Sequence, residues 1–141
     1  MTEERRMEEI IRNQTPVTLP ANTPAHEACR TMLDRRIGAI LVTDEQGGLA
    51  GIFTGRDAVR FIAETRNLHT TPLDQVMTRD PETMPPGKTA IEALRLMRDG
   101  GFRHIPIVDN GRIVGIVSRG DFRGLERDRL DVETGYWETM R

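Results

Sequence analysis

The sequence predicts an α/β (α+β) fold made of two βαββα repeats related by a pseudo-two-fold axis, with a helix ahead of the first. Two observations predict it: the chain repeats itself, and each copy shows the same succession of strand-like and helix-like segments. Laying Thr18–Glu45 over Thr83–Asn110 aligns identical residues at Thr18/Thr83, Pro20/Pro85, Ala25/Ala90, Glu27/Glu92, Ala28/Ala93, Arg30/Arg95, Met32/Met97, Asp34/Asp99, Ile40/Ile105 and Asp44/Asp109. Dropping one residue at Gln46 restores the register through Gly47/Gly111, Gly51/Gly115, Ile52/Ile116 and Asp57/Asp121. A register that survives this far is a duplication, and two copies do not make a solenoid.

The elements follow in order. Residues 1–15, with Glu3–Arg12 as their helical stretch, read as an N-terminal helix outside the repeats. The first repeat spans 16–66 and the second 77–128. Each opens with a short strand (Val17–Leu19; Glu82–Met84) running into a proline-containing turn. A helix comes next. Ala25, Ala28, Cys29, Met32 and Leu33 fall on one apolar face, and Ala90, Ala93, Leu94 and Met97 repeat that stripe. Strands Ala39–Thr43 and Ile105–Val108 then lead through Gly47-Gly48 or Asn110-Gly111 into Leu49–Phe53 and Ile113–Val117. Asn-Gly is a strong hairpin signal. Closing helices begin near Thr54 and Ser118, the first placing Ala58, Val59 and Ile62 on its apolar side. The link Arg66–Pro81 carries Leu73, Val76 and Met77 as a packing segment, and residues 129–141 form a tail. One repeat alone exposes apolar faces that it cannot cover, so stacking two gives the duplication a physical reason.

Composition narrows the function. Twenty Lys and Arg against twenty-two Asp and Glu leave a net charge of −2, with the signs interspersed. A nucleic-acid binder normally shows a basic surface, so this balance argues against that class. No apolar run reaches the roughly 20 residues of a membrane span. The charged start Thr2–Glu9 does not resemble a signal peptide, so a cytoplasmic location is expected. The single Cys29 excludes an internal disulfide and multi-cysteine metal sites; on its apolar stripe it reads as a small hydrophobe. His26, His69 and His104 are scattered along the chain and suggest no metal site. The seven methionines read as core filler. The tail from Leu130 to Arg141 holds Tyr136 and Trp137, which either dock on their own domain or dimer mate or form a lid or partner-binding segment.

The chemistry concentrates in two segments, Gly51–Asp57 and Gly115–Asp121. Each has the form Gly, two apolar residues, Thr or Ser, two variable residues, then Asp, where a strand gives way to a helix. Thr/Ser-x-x-Asp is also a capping-box pattern, and taken once the cap is the plainer reading. Three features favour a phosphate ligand. A helix N-terminus presents free N–H groups and partial positive charge. Gly55 and Gly120 allow close approach to the backbone. Arg56 and Arg119 beside them offer planar forks of donors. The aspartates can accept from both hydroxyls of a ribose, as an acidic residue does in dinucleotide-binding folds. Each stands at the same place in its own repeat, which suits two equivalent binding sites better than one acid–base dyad. The cap and ligand readings are compatible.

With these segments, Met77-Thr78 and the run Arg103–Asp109, residues 16 to 127 resemble a tandem pair of cystathionine-β-synthase (CBS) domains, a Bateman module. The resemblance implies a homodimer and a ligand held in clefts between the repeats: AMP, ADP, ATP or NAD, with S-adenosylmethionine ranked below them. Carried over residue by residue, Asp121 would hold the ribose, with Ser118, Arg119 and Gly120 near the phosphate. Arg103 and His104 would reach the phosphates from the side, and the adenine would lie against Ile37, Gly38 and the strand around Val17. In the other site Asp57 takes the ribose role, with Thr54, Gly55 and Arg56 beside the phosphate, while Gly38 and Ala39 replace Arg103 and His104. A charge-assisted bond contributes roughly 1.5–3 kcal/mol, so the Asp121 site is expected to bind more tightly. The expected function is a non-catalytic sensor that signals to a protein target by conformational change. The alternatives are a structural dimerisation module and a nucleic-acid binder that senses no nucleotide; no catalytic or metal-binding residues are expected.

Overall fold

The computed structural model describes residues 5–122, together with Gly124 and Glu126. It is the mixed α/β fold expected, divided into two compact units that follow the two repeats. The first unit holds Pro16–Pro81 with Asn110–Ile113; the second holds Glu82–Asp109, the chain from Val114 on, and the N-terminal segment up to Thr15.

In the first unit, β1 (Thr18–Pro20) runs parallel to β2 (Ala39–Thr43), β2 pairs antiparallel with β3 (Leu49–Thr54), and β3 with β4 (Thr78–Arg79). The sheet order β1-β2-β3-β4 places β2 and β3 centrally, and Ile40, Leu41, Val42 and Phe53 are almost wholly buried. The helix between β1 and β2 (Ala25–Arg35) buries Ala25, Ala28 and Met32, and the helix after β3 (Gly55–Ala63) buries Ala58. These helices are α2 and α3, since α1 (Met7–Ile10) precedes them in the chain. The linker closes the unit: Leu73 and Val76 are buried as expected, and Leu68 joins them. Gly51 explains why the linker comes so near. A Cβ there would lie 2.6 Å from Met77 Sδ and 2.7 Å from the Thr78 carbonyl oxygen, so only glycine lets β4 pair.

Three side chains of the predicted apolar stripes face outward instead: Leu33 is 73%, Val59 68% and Ile62 62% exposed. Helical periodicity identifies an apolar side of a helix, but not whether the chain's own core covers it.

The second unit repeats the plan with β5 (His104–Asp109) and β6 (Arg112–Ser118) as an antiparallel hairpin and α4 (Ala90–Gly100) against it. Asn110 at φ 50° and Gly111 at φ 81° make the expected tight turn. The strand expected over Glu82–Met84 shrinks to one parallel bridge, Met84 to Ile107. Pro81 and Pro85 flank it, and proline has no N–H to give a ladder. The core gathers Met84, Leu94, Met97, Ile105, Ile107 and Val117.

The two repeat helices end alike and pay unequally for it. Arg36 (φ 55°) terminates α2 in the left-handed region, and Gly101 (φ 72°) does so for α4 at the matching position. A side chain costs about 1–2 kcal/mol in that conformation and glycine does not.

The helix α1 is a single turn, and the N-terminal segment that carries it is built into the second unit. The Met7 N–H donates to the Lys88 carbonyl (2.8 Å), and the Ala90 N–H donates to the Arg5 carbonyl (2.8 Å). Met7 and Ile11 are buried in the second core, and Ile11 packs where Gly115 has no side chain. The Gln14 amide pairs with both backbone groups of Ile116 (2.8 and 2.9 Å), extending the sheet by one side chain. In the first unit the linker does the matching work, with the Ala25 N–H donating to Thr71 and the His26 N–H to Leu68. Each repeat's first helix is thus capped by the segment that precedes the other repeat. The tail with Tyr136 and Trp137 lies outside the described residues, as does most of the helix expected after Ser118.

Candidate functional site

Both Gly-x-x-Thr/Ser-x-x-Asp segments form strand-to-helix turns, and both turns are capping boxes. In the first, the Thr54 N–H donates to Asp57 Oδ2 (3.0 Å) and the Asp57 N–H donates to Thr54 Oγ1 (3.2 Å). Asp57 Oδ1 lies 3.7 Å from the Arg60 guanidinium, one turn along the same helix. The Gly55 N–H is taken by the Gly38 carbonyl (3.0 Å), which ties the turn to the entry of β2.

The second turn repeats the bond from the hydroxyl residue's N–H to the aspartate and the backbone tie, with the Ser118 hydroxyl donating to Asp121 where Thr54 accepts from the Asp57 N–H. The Ser118 N–H donates to Asp121 Oδ2 (2.7 Å), the Ser118 hydroxyl donates to the same oxygen (3.3 Å), and the Arg119 N–H donates to the Arg103 carbonyl (2.9 Å). Arg103 and Gly38 therefore hold equivalent places, as the sequence alignment requires, and only one of them brings a side chain. Asp121 is further held through its carbonyl, which accepts from Arg5 Nη2 (3.1 Å). Arg119 and Gly120 complete the turn as a short 3₁₀ helix, Arg119–Asp121.

The cap is real, and it does not use up the carboxylates. An ionised aspartate offers about four lone-pair sites, so an oxygen that accepts a cap bond can still take a ribose hydroxyl. The open side of the turns is consistent with this. A Cβ on Gly55 would meet no atom within 4 Å, and Gly55 does not have a positive φ, so neither packing nor backbone strain demands glycine there. Arg56 beside it is exposed, and its N–H has no partner among the described residues.

The structure therefore gathers Arg103, His104, Ser118, Arg119, Gly120 and Asp121 in the second unit. Thr54, Arg56, Asp57 and Gly38 gather in the first, which also holds Val17 and Ile37. Val17 and Ile37 pack partly against the first core, and the Val17 carbonyl accepts the Leu41 N–H (3.3 Å). Within the first unit an open cavity of about 550 Å³ lies at the hairpin turns Gln46–Gly48 and Gly111–Ile113, lined also by Thr43 and by Pro16 and Thr18 on either side of Val17.

His104 is half-buried, and burial lowers its pKa below the ordinary 6.5; nearby Asp121 works against that shift and Arg103 adds to it. Because the folded value lies below the unfolded one, the neutral ring is the form that folding favours. This contribution is complete above about pH 6.5 and is lost as the pH falls through the folded-state value. Urea midpoints measured from about pH 5 to pH 7.5 should rise with pH, and His104→Asn should remove part of that slope.

Other side chains are placed as follows. Cys29 is half-buried, and desolvation raises its thiol pKa, which favours the protonated thiol. Among the described residues no group of three His, Cys, Asp or Glu is placed to hold a metal ion. The histidines are less scattered than the sequence suggests, since His26 and His69 stack at 3.8 Å between ring centroids. The linker brings them together. Sequence reasoning missed Arg5, Gln14 and Ile11, which support β6 and the turn after it; the available signal was Gly115, a glycine inside a strand.

No helix among the described residues is long and apolar enough to cross a membrane. Comparisons with known proteins agree with the duplicated architecture. A sequence profile of the CBS domain matches residues 7–64 and 73–127. The CBS domain-containing protein CBSCBSPB1 of Arabidopsis thaliana is 40% identical over 108 residues, which cover 76% of this chain and 20% of that protein. The chain thus spans about a fifth of the length of such relatives. The CBS domain pair of protein MJ0100, solved in complex with 5′-methylthioadenosine and S-adenosyl-L-methionine, superimposes with a TM-score of 0.75 at 26% identity, covering 82% of this chain and 94% of that one. The CBS domain protein PAE2072 from Pyrobaculum aerophilum, complexed with AMP, shares the fold at a TM-score of 0.81 and 24% identity, covering 90% and 98%. With the repeats, the matched turns and these likenesses together, the chain belongs to the CBS domain family, as a pair of CBS repeats.

Proposed function

We propose that this chain is a non-catalytic regulatory module that binds an adenosine-type ligand at its two strand-to-helix turns and passes the binding on to a protein target as a change of shape. The observation that carries the reading is the equivalence of the turns: a capping Asp, an open glycine, an adjacent Arg, and an N–H tied to the start of the central strand. Asp121 and Asp57 take the ribose hydroxyls. Ser118, Arg119 and Gly120, with Arg103 and His104, take the phosphate at one turn; Thr54 and Arg56 do so at the other. Val17, Ile37 and Gly38 supply the apolar and backbone surface for the adenine. The liganded likeness MJ0100 supports the adenosine moiety as the shared feature, and AMP, ADP, ATP and NAD are the leading candidates.

A ligand can shift a conformational equilibrium only by its difference in affinity for the two forms. A thermal-shift series with AMP, ADP, ATP, NAD and S-adenosylmethionine tests the reading. At a hundredfold excess over Kd the bound form gains about 2.7 kcal/mol, so at least one compound should raise the midpoint by several degrees. A flat response to all five would favour a purely structural module.

The module acts as a homodimer in this reading. Leu33 on α2 and Val59 and Ile62 on α3 are exposed apolar side chains on two helices that contact each other. An isologous two-fold contact would bury them against their own copies.

A further inference from the structure

We propose that Arg5, outside both repeats, is a positioning residue for the Asp121 turn; the inference rests on the reading of that turn as a ligand site. Its guanidinium makes a two-pronged pair with Glu126, Nη2 to Oε1 at 2.7 Å and Nε to Oε2 at 3.2 Å, and Nη2 also donates to the Asp121 carbonyl at 3.1 Å. Both side chains of the pair are largely covered, at 16% and 17% exposure. Such a planar fork fixes direction as well as distance, which lysine cannot do.

Arg5 is itself held in place. Its carbonyl accepts the Ala90 N–H at the start of α4, and the buried Met7 follows two residues later. A rigid chain therefore runs from the N-terminus of α4 through the Arg5 backbone and side chain to the Asp121 carbonyl. The carboxylate of the same residue accepts the Ser118 N–H. The first turn is held differently: Asp57 has Arg60 from its own helix at 3.7 Å, and Thr71, whose carbonyl accepts the Ala25 N–H, stands in the linker where Arg5 stands in the N-terminal segment. One turn is set by local contacts and the other by a long-range clamp, so the orientation of the Asp121 carboxylate depends on a residue far away in sequence.

The test uses the full chain with Arg5→Ala and Arg5→Lys, reading amide hydrogen exchange at Ser118 and Thr54 together with AMP affinity. Arg5→Ala should speed Ser118 exchange at least fivefold, leave Thr54 unchanged, and weaken AMP binding by about fivefold to tenfold (roughly 1–1.4 kcal/mol); Arg5→Lys should restore only part of both. If Ser118 exchange and AMP affinity stay at wild-type levels while only the thermal midpoint falls, Arg5 merely anchors the N-terminus and the inference fails. If the wild-type chain binds no AMP but Ser118 exchange still quickens, positioning stands and the ligand reading falls. Should Arg5→Ala not fold, Glu126→Gln weakens the clamp and carries the same exchange measurement.

Discussion

Replacing Asp121 with alanine is expected to weaken AMP binding more than tenfold, and to do so more severely than Asp57→Ala. Removing a hydrogen-bonded carboxylate from a ribose costs roughly 1.5–3 kcal/mol, and 1.4 kcal/mol is a factor of ten. The Asp121 turn has the Arg103 and His104 side chains at the entry of β5, while Gly38 at the matching place offers none. Stability should rank the other way. Both substitutions lose a cap acceptor, worth about 1 kcal/mol, but Asp57→Ala also loses the Arg60 pair. Equilibrium denaturation beside calorimetric titration separates the two effects. If Asp57→Ala were worse in both, the Asp121 turn would not be the better site.

The double substitution Val59→Glu with Ile62→Glu is expected to turn a dimer into a monomer, weakening association at least a hundredfold. Like charges would meet across a two-fold axis where apolar surface was to be buried. Because these side chains are 68% and 62% exposed, the fold itself should tolerate the change within about 0.5 kcal/mol. Light scattering gives the mass, and circular dichroism checks the fold. An unaltered dimer would place the contact elsewhere, and a wild-type monomer would remove it from the account.

Much of this architecture was legible because duplication repeats each constraint. Asn110-Gly111 stated its turn, the stripe Ala90, Ala93, Leu94 and Met97 stated its buried face, and paired Gly-x-x-Thr/Ser-x-x-Asp segments stated matching turns. What stayed hidden depends on contacts without a sequence period. The N-terminal segment joins the second unit through backbone bonds such as Ala90 N–H to Arg5 O, which any residue could make. Leu33, Val59 and Ile62 keep helical spacing yet lie outside the core. The two carboxylates were readable as cap or ligand groups, and the structure realises the cap while leaving acceptor capacity for the other role.

The central claim is that the two strand-to-helix turns receive an adenosine-type ligand. Titrating AMP, and separately S-adenosylmethionine, into the ¹⁵N-labelled chain tests it residue by residue. For at least one compound, the amides of Ser118–Asp121 should shift at the lowest ligand concentrations and those of Thr54–Asp57 at higher ones. An unchanged spectrum at millimolar ligand, or shifts confined to the hairpin turns around Gly47 and Gly111, would contradict the claim.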